Sequence, residues 1–293
     1  VQFLSSLTEL RFRHYLFFRI GIPISLEIAV IDQQIRFFIV VPPEYQAFVE
    51  SQLIAQYPKV LISRMKDYLP DVLANKDTLS FTQLKLSHGG YLPLKTFDTF
   101  KDVDPLSSIL GILSKSQPGD TAVIQYLLYP VGNGWQAGGT REANKKHVAS
   151  DGTATPNPKA KEILEKVSFA GFRTAIRIAV NAPTKARSHH FMIEVAHSFS
   201  SFNNPSGNSI HIRKLYLWQK QRFLKHMVER DRFFIPTHQI LNVRELASMF
   251  HFPGMQLATI QNIAWHKVIL TDAPESLPVA EFLTDEQKAD VNF

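Results

Sequence analysis

The chain has 293 residues, of which 45% are hydrophobic and 20% charged, with 22 phenylalanines and no cysteine. So much apolar side chain excludes a disordered polypeptide, and the missing cysteine excludes disulfide scaffolds, thiol catalysis and cysteine-ligated zinc. The net charge of +6 is unevenly spread: residues 1–140 hold 12 basic and 12 acidic side chains, residues 141–250 hold 18 and 8, and residues 251–293 hold 2 and 6. The basic middle segment reads as an anion-binding face, for which nucleic acid is the obvious ligand, or as a wet basic surface that meets an acidic partner.

The length suits one large or two medium domains. The most apolar stretch, Tyr15 to Ile31, is interrupted by Arg19 and Glu27, which argues against a spanning helix. Leu26–Ile31 and Ile35–Val41 read as a hairpin around Asp32-Gln33-Gln34. Pro42-Pro43-Glu44 stops the second strand and opens a helix with Tyr45, Phe48, Val49 and Leu53 on one face, ended by Pro58. Val60–Met65 and Leu79–Leu86 read as strands. Asp104-Pro105 starts a helix whose Leu106, Ile109, Leu110 and Leu113 form an apolar stripe. Ala122–Val131 reads as a buried strand.

Residues 132–160 are polar and rich in Gly, Asn, Lys and Thr, and read as a flexible loop or linker. Phe172–Asn181 is then a strand, Pro183-Thr184 opens a helix to about Phe202, and Asn203 to Gly207 make a turn. Leu215–Val228 is a basic helix. Asn242-x-x-Glu245 is a variant capping box before Leu246, Met249 and Phe250. A weak internal echo links Ile35-Arg36-Phe37-Phe38-Ile39-Val40-Val41-Pro42 with Ile176-Arg177-Ile178-Ala179-Val180-Asn181-Ala182-Pro183: each is a strand that ends at proline before a long helix. The expected fold is therefore α+β, made of two related strand–helix halves with small, mainly antiparallel sheets covered by helices. The expected boundaries are 1–135, a linker over 136–165, and 166–293 ending in an acidic connector.

Chemical motifs are sparse. Gly134, Gly138 and Gly139 mimic a phosphate loop, but Thr140 and Arg141 follow where the lysine should stand, and the dinucleotide spacing fails as well. His190, Glu194 and His197 fall at i, i+4 and i+7, which places three candidate zinc or iron ligands on one helix face or, equally, marks a half-buried helix edge. His-Glu-x-x-His and Gly-x-Ser-x-Gly are absent. Arg213, Lys214, Lys220, Arg222, Lys225, Arg230 and Arg232 interleave with Tyr216, Trp218 and Phe223. Cations beside aromatic rings suit a nucleic-acid backbone and its bases, an amphipathic helix with a wet basic side, or a membrane surface.

Several phrases occur in a fixed order: SLEIAVIDQQIRFFIVVPPEYQAFVESQLIAQYP, GDTAVIQYLLYPV, RTAIRIAVNAPTKA, FNNP, ILNVRELASMFHFPG and QNIAW. Together, over about residues 24–280, they resemble the N-terminal region of conjugation-type, type IV secretion-like ATPases of the VirB/TraG/HerA-like group in candidate-phylum bacteria. The resemblance implies an α+β region that precedes a RecA-like motor, with the motor and every ATP-binding residue outside this sequence. It implies a non-catalytic assembly or docking domain without a cofactor of its own. The implied partners are its own motor domain, components of the secretion or conjugation complex, DNA, and further copies of the chain. The implied location is the cytoplasm, or the inner face of the membrane. Lys145, Lys146, Arg213, Lys214, Trp218, Lys220, Arg222, Lys225, Arg230 and Arg232 are the expected contacts to nucleic acid or partner. The rival readings are a free-standing nucleic-acid-binding protein that uses residues 141–250, and a metal-dependent enzyme that uses His190, Glu194 and His197.

Overall fold

The computed structural model describes residues 1–271 except 11, 16, 17, 102, 149–153, 216, 233, 234, 236, 237, 255, 256, 258, 259 and 261. Helix α1 (Gln2–Leu7) and a small hairpin of β1 (Phe12–Tyr15) and β2 (Phe18–Gly21) come first. The predicted long hairpin joins β3 (Ile24–Ile31) to β4 (Gln34–Val40) through Asp32 and Gln33, whose φ values are 52° and 61°. Two consecutive left-handed residues match the twist of a hairpin, and because neither is glycine each costs about 1–2 kcal/mol. Pro42 then ends the pairing, and α2 (Pro43–Gln56) runs on to β5 (Leu61–Met65) and the single turn α3 (Leu69–Val72). Next come β6 (Ser80–Leu86), α4 (Ser107–Leu113), β7 (Thr121–Pro130) and α5 (Gly134–Ala143). A two-residue hairpin, β8 (His147–Val148) with β9 (Ala154–Thr155), leads to α6 (Ala160–Val167), β10 (Gly171–Asn181) and α7 (Lys185–Ser198). The described chain closes with β11 (Ile210–Arg213), α8 (Leu217–Val228), β12 (Ile240–Asn242), α9 (Val243–Met249) and β13 (Ile263–Thr271).

The class is α+β, as the sequence predicts, but the strands do not divide into two small sheets. They form one nine-stranded sheet in the order β11-β6-β10-β7-β3-β4-β13-β5, with β12 pairing β10 off that path. The two halves are related inside it. β3 and β7 pair antiparallel at the centre. Outward from β3, β4 is antiparallel, α2 follows it, and the chain crosses to the edge strand β5 with β13 lying between. Outward from β7, β10 is antiparallel, α7 follows it, and the chain crosses to the edge strand β11 with β6 lying between. Parallel pairing through β13 leaves β4 and β5 parallel, and two antiparallel pairings through β6 leave β10 and β11 parallel. Each unit is therefore a hairpin, a helix and a parallel edge strand, and the antiparallel pairing of β3 with β7 relates the units by a pseudo-two-fold through the sheet. The echoed sequences are the equivalent strands β4 and β10.

The boundary near residue 135 is corrected by the same pairing. β6 and β7 come from the first half of the sequence yet flank β10 from the second, and β13 fills the gap between β4 and β5. The predicted linker is also largely folded. In α5, Trp135, Gly139 and Ala143 are buried, and Trp135 packs with Val167 and Ile240. A polar composition misled because α5 needs only one narrow buried stripe, made partly of small residues. A Cβ at Gly139 would meet Val167 Cγ1 at 2.3 Å, whereas Gly134 has open space around it.

One face of the sheet carries the main core, with Leu26, Ile28, Phe37, Ile124, Tyr126 and Ile178 meeting α1, α2, α4, α7 and α9. Phenylalanine supplies much of it. Phe37 and Tyr126 both set their rings edge-on to Phe250, at centroid distances of 5.8 and 6.0 Å. The opposite face presents Ala29, Phe38, Val123 and Ala179 to Tyr68, Leu69, Phe223 and Met227, from α8 and from the segment around α3. Gly139→Ala is expected to cost about 1–3 kcal/mol in urea unfolding through overpacking, while Gly134→Ala stays within about 0.5 kcal/mol. Equal, small effects at both positions would show that α5 does not pack as described.

Candidate functional site

The face under α8 is built on a polar row that crosses five strands and ends against Phe38. Arg213 of β11 pairs with Gln83 of β6, Gln83 with Arg177 of β10, Arg177 with Gln125 of β7, Gln125 with Glu27 of β3, and Glu27 with Phe38 of β4. Gln83, Arg177, Gln125 and Glu27 are fully buried. Burying such groups is costly unless each one is hydrogen-bonded, and the end of α8 supplies what the strands lack. The Glu27 carboxylate accepts from Ser25 Oγ (2.7 Å), Tyr68 Oη (2.7 Å), Gln125 Nε2 (2.9 Å) and the Arg230 fork (2.8 and 3.2 Å). Arg230 also grips Asp67 with two nitrogens, at 2.7 and 2.8 Å. Burial alone would push the Glu27 carboxyl up. The Arg230 charge, with hydrogen bonds from Arg230, Tyr68 and Ser25, outweighs burial and holds the carboxyl below its ordinary value.

Arg230 occupies an unusual backbone position. Its φ is +50°, its N–H reaches Met227 O, and the Asp231 N–H reaches His226 O. That is a Schellman closure of α8, at the position where glycine is usual. The same two carbonyls also accept from the sheet: Arg177 donates to His226 O (2.8 Å) and, just past the helix, to Asp231 O (2.9 Å), and Gln125 donates to Met227 O (3.0 Å). Two guanidinium groups at a helix C-terminus also complement its dipole. Desolvation lowers the Arg177 pKa to about 10, which still leaves it charged at neutral pH.

The expected contact residues separate accordingly. Arg230 was expected at the surface and is instead only 3% exposed; the chain turns at the end of α8 and aims its side chain at Glu27. Lys214, Arg222, Lys225 and Arg232 are exposed, as are Lys145 and Lys146, and Arg213 is half-buried at the edge strand. Lys145 pairs with Glu142 and Lys225 with Glu229. The side chains of Trp218 and Lys220 lie outside the described residues. Within α8, Gln219, Phe223 and Met227 point inward while Arg222 and Lys225 point to solvent.

His190, Glu194 and His197 do not converge on a common point. His190 Nε2 lies 3.5 Å from Glu194 Oε1, and His197 is exposed one turn further on. Among the described residues, the group of three histidine and acidic side chains whose ligand atoms all lie within 4.8 Å of one another is His226, Glu229 and Asp231. There the His226 ring already meets Asp231 at 2.5 Å.

Two further features face outward. A cavity of about 230 Å³ opens beside α6 and α9, lined by Lys95, Glu162, Glu165, Phe169 and Arg244. At its floor the fully buried Lys166 pairs with Glu245 at 3.0 Å, and Glu245 also completes the capping box with Asn242 that the sequence predicts. The second feature is the margin formed by α2 and β5. Of the eight large apolar side chains left exposed among the described residues, four lie there: Phe48, Ile54, Leu61 and Met65.

Among known families, a family model described as a domain of unknown function (DUF8128) matches residues 1–266. No curated protein and no solved structure matches the chain. Replacing Arg230 with Met is expected to destabilise the fold by about 3–5 kcal/mol at neutral pH, because it strands the Glu27 charge. The stability that ionised Glu27 contributes is fully present above its ordinary value of 4.5 and is lost as pH falls through its lower folded value. The stability gap between wild type and Glu27→Gln should therefore narrow on acidification, as read by urea unfolding across a pH series. A gap that stays constant into strong acid would refute the ion pair's role.

Proposed function

The chain belongs to the DUF8128 family, and on that premise we propose that it is a non-catalytic assembly or docking domain of a conjugation or type IV secretion-like DNA-transfer ATPase. The observation that carries this reading is the α2–β5 margin. Among the described residues the outer side of β5 has no partner strand; a sheet edge of that kind is a ready template for another chain, and clustered exposed apolar side chains mark protein contact surfaces. α2 has only two charged residues, Glu44 and Glu50, and Glu50 is paired with Arg64 of β5 at 2.8 Å. The helix thus shows solvent Ala47, Phe48, Ser51, Ile54 and Ala55, a surface suited to being covered rather than hydrated.

The ordered resemblance to the N-terminal region of these ATPases supplies the biological setting, in which the domain works by touching its motor and the transfer complex and needs no cofactor of its own. Among the described residues no helix is long and apolar enough to cross a membrane. The proposal places the domain in the cytoplasm or against the inner face of the membrane.

The natural gene is expected to continue past Phe293 into Gly-x4-Gly-Lys-Ser/Thr, and the isolated chain is expected to hydrolyse no ATP. A stop codon directly after Phe293, or ATP turnover that survives purification to homogeneity, would overturn the reading.

A second reading rests on the outer face of α8. Lys214, Arg222, Lys225 and Arg232 are exposed on the segment that covers the polar row, and such a group can neutralise a phosphate backbone. On this reading, single-stranded or duplex DNA binds with an affinity that falls steeply as salt rises, with a log–log slope of about −0.7 to −0.9 per phosphate neutralised. Reversing the charge of Arg222 and Lys225 together should flatten that slope. Binding that is indifferent to both salt and charge reversal excludes this surface.

A further inference from the structure

We propose that the occupant of the β5 edge is a second copy of this chain, joined through antiparallel β5–β5 pairing about a two-fold axis at Ser63. The inference rests on the docking reading above and names the partner. The two ends of the sheet are unequal. Each edge strand holds one arginine with a lysine just beyond, Arg213 and Lys214 at β11 and Arg64 and Lys66 at β5, and the difference lies in apolar exposure: Leu61 and Met65 of β5 are exposed, whereas Ile210 of β11 is buried and Ile212 half-buried. β5 carries one charge, Arg64, and Glu50 of α2 already holds it.

The side chains of β5 divide by face. Arg64 reaches α2, and Ile62 packs on the core beneath that helix. Leu61, Ser63 and Met65 therefore point to the opposite face, where Leu61 is 53% and Met65 36% exposed. A two-fold axis perpendicular to the sheet keeps each face on its own side, so it pairs only residues of the same face. The register that pairs all five residues, over about 16 Å of edge, sets Ser63 against the partner's Ser63 and Leu61 against the partner's Met65. Both exposed apolar side chains are then covered by each other, and the two sheets become one. On the other face, Glu50 marks the flank of α2 that lies over β5. Ile54 sits one turn along that flank beside Ala47 and Ser51, small residues that allow a second α2 to approach closely. The contact is isologous and closed, so it gives a dimer rather than a fibre. An edge this short gives a weak, concentration-dependent dimer, and tethering within a larger complex would raise its occupancy.

The absence of native cysteine makes the register directly testable. Antiparallel neighbours sit about 4.5–5.5 Å apart at Cα, within disulfide range. Under mild oxidation, Ser63→Cys should form a covalent dimer far faster than Ser206→Cys, an exposed loop control. Leu61→Cys alone should stay monomeric, and Leu61→Cys with Met65→Cys should cross-link. Sedimentation of the unmodified chain should show a concentration-dependent dimer that Ser63→Lys abolishes. Cross-linking of Ser63→Cys no faster than the control, or a chain that stays monomeric at every concentration, overturns the homotypic pairing. Neither result touches the docking reading, which stands or falls on the motor sequence downstream.

Discussion

The fold turns on a carboxylate that should not be where it is. Glu27 lies in the middle of a central strand with no exposure at all, and an isolated ionised carboxylate there would destabilise the sheet by several kcal/mol. Its neutralisation demands a cation from outside the sheet, which comes from beyond the end of α8. That requirement fixes where α8 ends, forces a left-handed arginine at the Schellman position, and draws the Asp67–Tyr68 segment over the same spot. The buried charge thus acts as an address. An apolar α8 could slide across a greasy sheet face, whereas Gln125 and Arg177, which donate to its C-terminal carbonyls, and Glu27, which accepts from Arg230, allow only one placement.

The pseudo-two-fold explains why the polar row lies where it does. β3 and β7 are the inner strands of two equivalent units and meet antiparallel at the centre, so the row runs through the junction between the units. α8 and Arg230 thereby clamp the two halves together: Arg230 binds a residue of β3, Arg177 belongs to β10, and Gln125 of β7 bridges between them. The symmetry is broken by what fills each gap. β13 enters the first unit parallel to both neighbours, and β6 enters the second antiparallel to both.

Much of this architecture was legible in the sequence. The β3–β4 hairpin, the strand–proline–helix echo and the Asn242/Glu245 capping box are local signals, set by turn chemistry, proline geometry and side-chain reach. The boundaries were not legible, because the insertion of β6 and β13 into the opposite units depends on pairings between residues far apart in the chain. Arg230 was misplaced for a similar reason. Its charge grouped it with the other cations of residues 213–232, although it stands two residues past the end of the helix. The signal available was Glu27 itself, together with Gln125 and Arg177: three polar residues set singly in strands otherwise rich in apolar residues. Such residues must find one another or a partner from elsewhere, and the nearest unassigned cations were those at the end of the basic helix. Residues 134–143 show the converse error. A composition poor in large apolar side chains was read as unfolded, but a helix can be anchored by one tryptophan and a glycine that lets Val167 approach.

The division of labour across the molecule follows from where polarity is hidden and where it is shown. Strong charges that could have made a basic site, Arg177 and Arg230, are spent inside the sheet on carboxylates and carbonyls. Exposed cations lie along α8 and around residue 145, and equally on other elements, among them Lys59, Lys66, Lys85, Lys161 and Arg173. Among the described residues, half of the exposed large apolar side chains lie at α2 and β5, along one edge of the sheet. A surface of that kind gains by excluding water against another flat, extended strand. The exposed apolar margin therefore favours contact along the edge of the sheet rather than across its faces.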